Sequence, residues 1–159
     1  YYKYNWTWDK VRPTGHLVAK KRPMQQTEDV CIFGKGAVTY NPEMTLRDKV
    51  IKGKEGKRTE IMGGESKGYE AEYTHKYPVT HITFKKDKGF HPTQKPVALF
   101  EYLIRTYTDE GMTVLDNTAG SGTTAVAAER TGRKWICIEK QPEYYYPAVA
   151  RVISEVSGQ

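Results

Sequence analysis

The pattern of apolar and polar positions predicts a strand, a tight turn, a helix and a second strand over residues 113–139. Thr113–Leu115 is short and rich in β-formers, and Asp116 follows it directly. Residues 123–130 favour a helix whose alanines face a sheet. Lys134–Ile138 resumes as an apolar, buried strand. We therefore predict an α/β unit with a ligand crevice outside the carboxyl ends of its strands.

The turn between the first strand and the helix carries the candidate chemistry. Residues 120–125, Gly-Ser-Gly-Thr-Thr-Ala, satisfy the loose G-x-G-x-x-G/A pattern of dinucleotide sites, and no lysine follows as in a Walker A loop. Asp116 would repel a pyrophosphate but suits a cationic ligand such as S-adenosylmethionine (SAM). Glu139, after the second strand, can accept hydrogen bonds from a ribose. A SAM site, a nicotinamide dinucleotide site and a turn without a ligand are the alternatives.

Elsewhere the pattern predicts strands first and helices later. Strands are predicted at 1–10, 29–33, 37–40 and 80–84, with the second and third forming a hairpin. The first strand is expected to break at 12–15, before a basic loop over 16–28. A helix starting at Pro96 carries Val97, Phe100, Leu103, Ile104 and Tyr107 on one face, and a last helix from Pro142 carries Tyr145, Val149, Val152 and Ile153.

Residues 42–78 differ from the rest because they are rich in Lys, Glu and Gly and lack a sustained apolar period. This composition predicts a loop-rich insertion that orders on a partner. The insertion separates two further segments, residues 1–41 and residues 79–159.

Composition narrows the class of protein. The chain is 38% hydrophobic with a mean hydropathy of -0.72, and no apolar run reaches the roughly 18 residues of a membrane helix. It begins at Tyr1 rather than Met, so we expect a cut N-terminus. Cys31 and Cys137 lie in apolar runs and are predicted to be buried free thiols in a reducing compartment. No Cys/His spacing indicates a metal site.

Charge is distributed unevenly along the chain. Residues 1–97 hold 19 of the 25 Lys and Arg and 11 of the 19 Asp and Glu, a net charge of +8. Residues 98–159 hold the other 6 and 8, a net charge of -2. The basic part indicates a polyanionic partner, with a solvated basic face as the alternative.

Two motifs in a fixed order carry a family resemblance. His91-Pro92-Thr93-Gln94-Lys95-Pro96, an amphipathic helix, and then Asp116 through Thr124 resemble the amino-group (N6-adenine or N4-cytosine) DNA methyltransferases of the β arrangement. The resemblance extends to Glu139 and back to Trp8-Asp9-Lys10 and Glu28-Asp29. It implies a Rossmann-like SAM-dependent sheet with a circularly permuted motif order and a target-recognition insertion.

The resemblance also implies roles. Residues 1–41 would belong to the catalytic half beside the base pocket, 42–78 would recognise the target, and 79–159 would bind SAM. The cofactor-binding residues would be His91, Thr93, Lys95, Asp116, Thr118, Ala119, Gly120, Ser121, Gly122, Thr123 and Glu139. The DNA-contacting residues would be Trp8, Lys10, Lys20, Lys21 and Arg22. The alternatives are a core position for Trp8, a helix-capping role for Thr93 and a surface charge for Lys95.

The sequence departs from the family pattern at two places. Asn117-Thr118 replaces Pro-Phe after Asp116, and the catalytic tetrapeptide Asp-Pro-Pro-Tyr is absent, so no catalytic residue is assigned. The resemblance implies methyl transfer to adenine N6 in duplex DNA as part of restriction and modification. Transfer to cytosine N4, or a non-catalytic SAM- or DNA-binding remnant, is the alternative. We expect this chain alone to be inactive, and the location to be the cytoplasm of a bacterium, encoded there or by a phage. The oligomeric state is left open, with a homodimer as one alternative.

Overall fold

The structure, a computed structural model, describes residues 1–54, 70–89, 91 and 93–157. The chain divides into two compact units, Tyr1–Asn41 with Val79–Gln159, and Pro42–Pro78. None of the helices within the described ranges has the length and apolar character needed to cross a bilayer.

The first unit contains a three-stranded sheet. Strand β1 (Tyr2–Thr14) pairs antiparallel with β2 (Gln25–Phe33) and parallel with β5 (His81–Thr83), giving the order β2-β1-β5. A short 3-10 helix (His16–Val18) lies in the connection between β1 and β2. Residues of the N-terminal segment and of the segment after the insertion therefore share one sheet.

Strand β1 passes through the predicted break at residues 12–15. Its pairing jumps from Asp9 opposite Thr27 to Thr14 opposite Gln25, so a bulge absorbs the extra residues. Val11 lies in the bulge with φ 67°, and its N–H donates to the Asp9 carboxylate at 2.7 Å. The Asp9 side chain therefore provides an acceptor for the Val11 N–H inside the bulge.

The predicted hairpin of 29–33 with 37–40 is wrong, because β2 pairs with β1 instead. The Gly34 N–H continues that pairing by donating to the Tyr1 carbonyl at 2.9 Å. Residues 37–40 are not a strand, and the Tyr40 ring packs against Tyr107 at 6.4 Å between centroids. The chain then reaches Asn41. Its side-chain amide nitrogen, Nδ2, lies within hydrogen-bond distance of three oxygens of residues 105–109, and its main-chain N–H donates to the Thr106 carbonyl at 2.8 Å.

The predicted strand–helix–strand unit is confirmed, with helices on both sides of it in the sequence. Its elements are α1 (Val97–Tyr107), β6 (Thr113–Asp116), α2 (Thr123–Arg130), β7 (Lys134–Cys137) and α3 (Pro142–Ser157). Strands β6 and β7 are parallel, with Leu115 opposite Ile136.

The prediction that the second strand is buried is wrong. Val114 and Cys137 pack on the cluster around α2. Leu115, Ile136 and Ile138 are 65%, 55% and 53% exposed. Leu115 and Ile136 are neighbours on one face of the strand pair, because side chains alternate between faces. We call Leu115, Ile136 and Ile138 the open apolar surface.

Helix α1 lies between two apolar clusters. Val97 and Ile104 pack with α2, whereas Leu99 packs with Trp6 and Trp8 of the first sheet. The sequence predicts a single apolar face on this helix, but the helix is buried on two sides. It therefore links the first sheet to the glycine turn that precedes α2.

The second unit contains an antiparallel pair, β3 (Thr45–Lys54) with β4 (Glu70–Lys76). The prediction of a loop-rich insertion is therefore wrong at both ends of the segment, where main-chain pairing forms strands without a buried apolar face. Leu46, Ile51 and Tyr73 are all exposed on these strands. Residues 55–69 of the predicted insertion lie outside the described residues.

The two cysteines are less buried than predicted. Cys31 is exposed because it lies on the outer face of β2. Cys137 is half-buried, and burial together with the charge of Asp116 raises the pKa of its thiol to about 11. An apolar flanking sequence identifies a strand here, but not which face of the strand a side chain occupies.

Candidate functional site

The turn between β6 and α2 is built on two glycines with left-handed backbones. Gly120 has φ 52° and Gly122, which precedes the helix, has φ 72°. A Cβ atom on Gly120 would lie 3.4 Å from the His91 ring, and one on Gly122 would lie 3.2 Å from the Ala148 Cβ. Gly122 is therefore required by both its positive φ and a tight approach to α3, whereas Gly120 is favoured by its positive φ alone.

Asp116 organises this turn from the end of β6. One carboxylate oxygen accepts from the Thr118 N–H at 2.9 Å, and the other accepts from the Thr124 hydroxyl. An ionised carboxylate offers about four acceptor sites, so further hydrogen bonds to a ligand remain available.

Glu139 supports the same turn from the end of β7. Its carboxylate accepts from the Gly120 N–H at 2.8 Å and from the Gln141 N–H at 2.9 Å. These main-chain hydrogen bonds, from Gln141 and then Gly120, hold the pKa of Glu139 below its usual range. The carboxylate is therefore ionised at neutral pH.

Two crevices lie beside the turn. The first, of about 520 Å³, includes nine of the eleven residues predicted to bind a cofactor. They are His91, Thr93, Lys95, Asp116, Thr118, Ala119, Gly120, Ser121 and Thr123. The other two, Gly122 and Glu139, line a second crevice of about 490 Å³, which shares Ala119 with the first. Pro92 of the His91–Pro96 motif lies outside the described residues.

These residues suit SAM. Each crevice has a volume typical of a small-molecule site, on the order of 300–1,000 Å³. Asp116 and Glu139 offer negative charge on the two sides of the turn, and Lys95 adds positive charge to the first crevice. A ligand with an ammonium, a sulfonium, a carboxylate and ribose hydroxyls finds a complementary group for each. The second crevice also has aromatic walls, Trp135 and Tyr145.

His91 is held rigidly next to the turn. Its Nδ1 accepts from the Thr93 N–H at 3.2 Å, and its ring packs edge-on against Tyr144 at 4.3 Å. The Thr93 hydroxyl lies 3.1 Å from the same Nδ1. A helix-capping role for Thr93 does not agree with the structure, because the Val97 N–H donates to the Asp87 carboxylate at 3.0 Å instead.

Lys95 connects the turn to the first sheet. Its carbonyl oxygen accepts from the Thr123 hydroxyl at 3.2 Å. Its ammonium group donates to the Glu28 carboxylate and lies 5.3 Å from the centroid of the Trp8 ring.

The predicted DNA contacts of Trp8 and Lys10 do not agree with their positions, since both are only 1% exposed. Trp8 is a core residue whose indole N–H donates to the Phe84 carbonyl at 2.8 Å. Lys10 follows Trp6 and Trp8 on the inner face of β1 and lies 3.2 Å from the Glu28 carboxylate. Extending the two-residue alternation to position 10 would have predicted its burial.

Lys20, Lys21 and Arg22 are exposed in the loop before β2. The Lys21 and Arg22 N–H groups both donate to the Val18 carbonyl, at 2.9 and 3.1 Å. Their side chains are therefore displayed on a turn with defined backbone hydrogen bonds. Contact with DNA stays a prediction for these three residues.

Arg151 on α3 is a site residue that the sequence pattern does not identify. Its guanidinium donates to the Ser121 carbonyl at 3.0 Å and to the Thr123 hydroxyl at 3.2 Å. Burial lowers the pKa of Arg151, with the charges of Glu155 and Asp87 acting in the opposite direction. Its partners are oxygens of the turn, 28 and 30 residues away in the sequence, so no local spacing reveals the contact.

The fold and the site define a Rossmann-like nucleotide-cofactor domain with carboxylates at the ends of two parallel strands. A family model described as DNA methylase matches residues 1–150. The chain therefore belongs to this family, the N6/N4 amino-group DNA methylases, as the two motifs predict.

Two curated relatives show how far the similarity extends. The Type II methyltransferase M.HindIII of Haemophilus influenzae is 35% identical over 138 residues, 87% of this chain and 43% of its own length. The Type II methyltransferase M2.DpnII of Streptococcus pneumoniae is 46% identical over 76 residues, 46% of this chain and 28% of its own length. The matched part of this chain thus spans less than half of each relative.

Solved structures support the Rossmann-like methyltransferase fold. The M1.HpyAVI–SAM complex has a TM-score of 0.61 and 26% identity, covering 95% of this chain and 62% of its own. The cytosine-N4-specific PvuII DNA methyltransferase has a TM-score of 0.61 at 19% identity, which shows the fold alone. It covers 96% of this chain and 55% of its own.

Proposed function

We propose that the chain is the SAM-binding part of a DNA methyltransferase acting on an exocyclic amine in duplex DNA, with adenine N6 as the target. The observation that carries the proposal is the glycine turn supported by Asp116 and Glu139, with Lys95 beside it, in a chain of the DNA methylase family. The proposed location is the cytoplasm of a bacterium, because the DNA substrate is found there. Transfer to cytosine N4 is the alternative that a base assay separates.

The side chains of the site are assigned to different groups of the ligand. When bound, SAM supplies a methyl group made electrophilic by its sulfonium. Asp116 would provide negative charge next to the ammonium and sulfonium of the methionine part, while Lys95 and Thr93 would bind the carboxylate of that same part. Glu139 would accept hydrogen bonds from the ribose in the second crevice. Arg151 holds Ser121 and Thr123 in place, so that the turn is formed before the ligand arrives.

Calorimetric titration of the chain tests the proposal. We expect SAM to bind and NAD to give no saturable heat, because Asp116 would repel a pyrophosphate at the first crevice. The two ligands share an adenosine and differ in the remainder, which is a sulfonium with an amino-acid chain in SAM and a pyrophosphate with a nicotinamide riboside in NAD. Tight NAD binding without SAM binding would overturn the class of enzyme.

The basic part of the chain supplies the second half of the proposal, contact with duplex DNA. Residues 1–97 carry a net charge of +8, and Lys20, Lys21 and Arg22 are exposed on one turn. Phosphate contacts of this kind orient a protein on DNA without reading its sequence. Sequence readout is assigned to residues 42–78, which form the separate unit that contains β3 and β4.

We expect DNA binding to weaken steeply with salt. Replacing Lys20, Lys21 and Arg22 by Ala should reduce the slope of log K against log salt by up to about 2.7, or about 0.9 for each phosphate that the protein no longer neutralises. The measurement is fluorescence anisotropy on a labelled duplex at four salt concentrations. Lys134 and Lys140, exposed cations of the net-negative part, are the control pair and should leave the slope unchanged. A slope near zero for the unmodified chain would contradict this assignment.

A further inference from the structure

Three charged side chains meet between the first sheet and the first crevice. One oxygen of Glu28, on β2, accepts from the Lys95 ammonium, and the other lies 3.2 Å from the Lys10 ammonium on β1. Lys10 also donates to the Thr14 hydroxyl at 3.3 Å. Lys10, Glu28 and Lys95 are called the charged triad below. It contains two cations and one anion, a net charge of +1.

The two lysines of the triad differ in their freedom to move. Lys10 is 1% exposed and fixed on the inner face of β1, whereas Lys95 is 37% exposed and lines the first crevice. Lysine has a long, flexible stem, so an ammonium held only by solvent would sample many positions. Glu28 therefore restricts a mobile cation by anchoring it to an immobile sheet.

Glu28 stays charged in this position. Partial burial acts to raise the pKa of Glu28, but the hydrogen bonds and charges of Lys95 and Lys10 outweigh it and hold the pKa below its usual range. At neutral pH the carboxylate therefore separates two ammonium groups that would otherwise repel each other.

We infer that Glu28 is a positioning residue that holds the Lys95 ammonium at the first crevice, where Lys95 receives the carboxylate of the ligand. The inference rests on the proposed SAM site and extends it to a residue of the first sheet. Without the charge of Glu28, the fixed Lys10 repels Lys95. Lys95 then moves toward solvent, because it is the exposed partner. The ligand carboxylate is then without its oriented cation, while the remainder of the ligand stays bound to the other side chains of the site.

The test compares two ligands that differ in one group, SAM and decarboxylated SAM. Glu28→Gln should weaken SAM binding by about 5- to 20-fold, the scale of one charge-assisted hydrogen bond, and leave decarboxylated SAM within roughly 2-fold. Lys95→Met should show the same pattern. In the Lys95→Met background Glu28→Gln should have no further effect on either ligand.

Asp29→Asn is the matched control. Asp29 is the next residue on β2, exposed on the opposite face, where its carboxylate accepts from Asn5 and Thr7 at 3.4 and 3.3 Å. It removes the same charge from the same strand without touching the triad. If Asp29→Asn changes the ratio of the affinities for SAM and decarboxylated SAM as much as Glu28→Gln does, the effect is one of long-range charge. The positioning role of Glu28 is then overturned.

Two further measurements distinguish failure of the positioning role from misfolding of a variant and from failure of the proposed SAM site. If Glu28→Gln does not fold, Lys10→Met/Glu28→Gln removes the buried cation together with its counterion. Lys95 has then lost its anchor although Lys10 no longer repels it, so this variant should still show a reduced preference for SAM over decarboxylated SAM. Equal weakening of both ligands in that variant, or in Glu28→Gln, overturns the positioning role. If the unmodified chain binds neither ligand, the proposed function itself fails, and with it this inference.

Discussion

The chain of 159 residues is expected to transfer no methyl group to DNA on its own. The amine of a base is a weak nucleophile because its lone pair is delocalised into the ring, so acceptors must hold it in line with the methyl group. Orienting reactants in this way lowers the activation free energy by on the order of 7–11 kcal/mol in favourable cases. The tetrapeptide Asp-Pro-Pro-Tyr, which supplies these acceptors in the family that the chain resembles, does not occur in it.

The site residues identified in the structure support the glycine turn. Asp116, Glu139 and Arg151 bind it through their side chains, and Lys95 binds it through its carbonyl oxygen. The open apolar surface of Leu115, Ile136 and Ile138 leaves one face of the strand pair β6–β7 without covering helices in the described residues. A doubly wound sheet normally has helices on both faces.

Methyl transfer is measured with tritiated SAM and duplex DNA. The chain alone is compared with a fusion in which a segment carrying Asp-Pro-Pro-Tyr precedes Tyr1, and with a fusion carrying four alanines in place of the tetrapeptide. We expect turnover only in the first fusion, with a difference on the order of 10³-fold or more. Robust turnover by the chain alone would mean that the catalytic groups lie elsewhere. An inactive first fusion would favour a non-catalytic remnant.

The second large effect is expected at Asp116. Asp116→Ala should weaken SAM binding by about 1–3 kcal/mol, or roughly 5- to 150-fold, because it removes a charge-assisted hydrogen bond to the ligand. The change also removes the acceptor of the Thr118 N–H and the Thr124 hydroxyl, so the turn loses its support. Calorimetry gives the affinity, and thermal unfolding reports any decrease in stability.

Asp116→Asn separates charge from structure at this position. The asparagine keeps an acceptor for the Thr118 N–H and an amide that can donate to Thr124, but it carries no charge. We expect it to preserve the unfolding temperature and still weaken SAM binding. If Asp116→Ala and Glu139→Ala both leave the affinity unchanged, the two carboxylates are not ligands of the cofactor, and their role is confined to supporting the turn.

Local sequence is sufficient to predict the part of the fold that forms the turn. Strand β6, the two glycines and helix α2 are specified by neighbouring residues, since backbone φ and helix propensity are local properties. The motif around His91–Pro96 then identifies the family over nearly the whole chain.

Prediction from the sequence fails where a distant partner decides the outcome. Strand β2 could pair with residues 37–40 or with β1, and only the tertiary structure selects β1. The charge of Lys10 favours a contact with DNA, yet Glu28 compensates that charge inside the fold. An ion pair with a buried lysine leaves no trace in composition, since Lys and Glu both count there as surface residues.

The segments that flank the second unit are fixed within the first unit. The chain leaves the first unit at Asn41, which is anchored to the end of α1 by its main-chain N–H and its side-chain amide. It returns at Val79, next to Thr80, whose carbonyl accepts from the Thr7 N–H at 2.7 Å. Both anchors lie within the first unit. Under the proposed role of residues 42–78 in sequence readout, genetic recombination that exchanges this segment between related genes would change the DNA specificity in one event. The proposed SAM site, which lies wholly in the first unit, would be inherited unaltered.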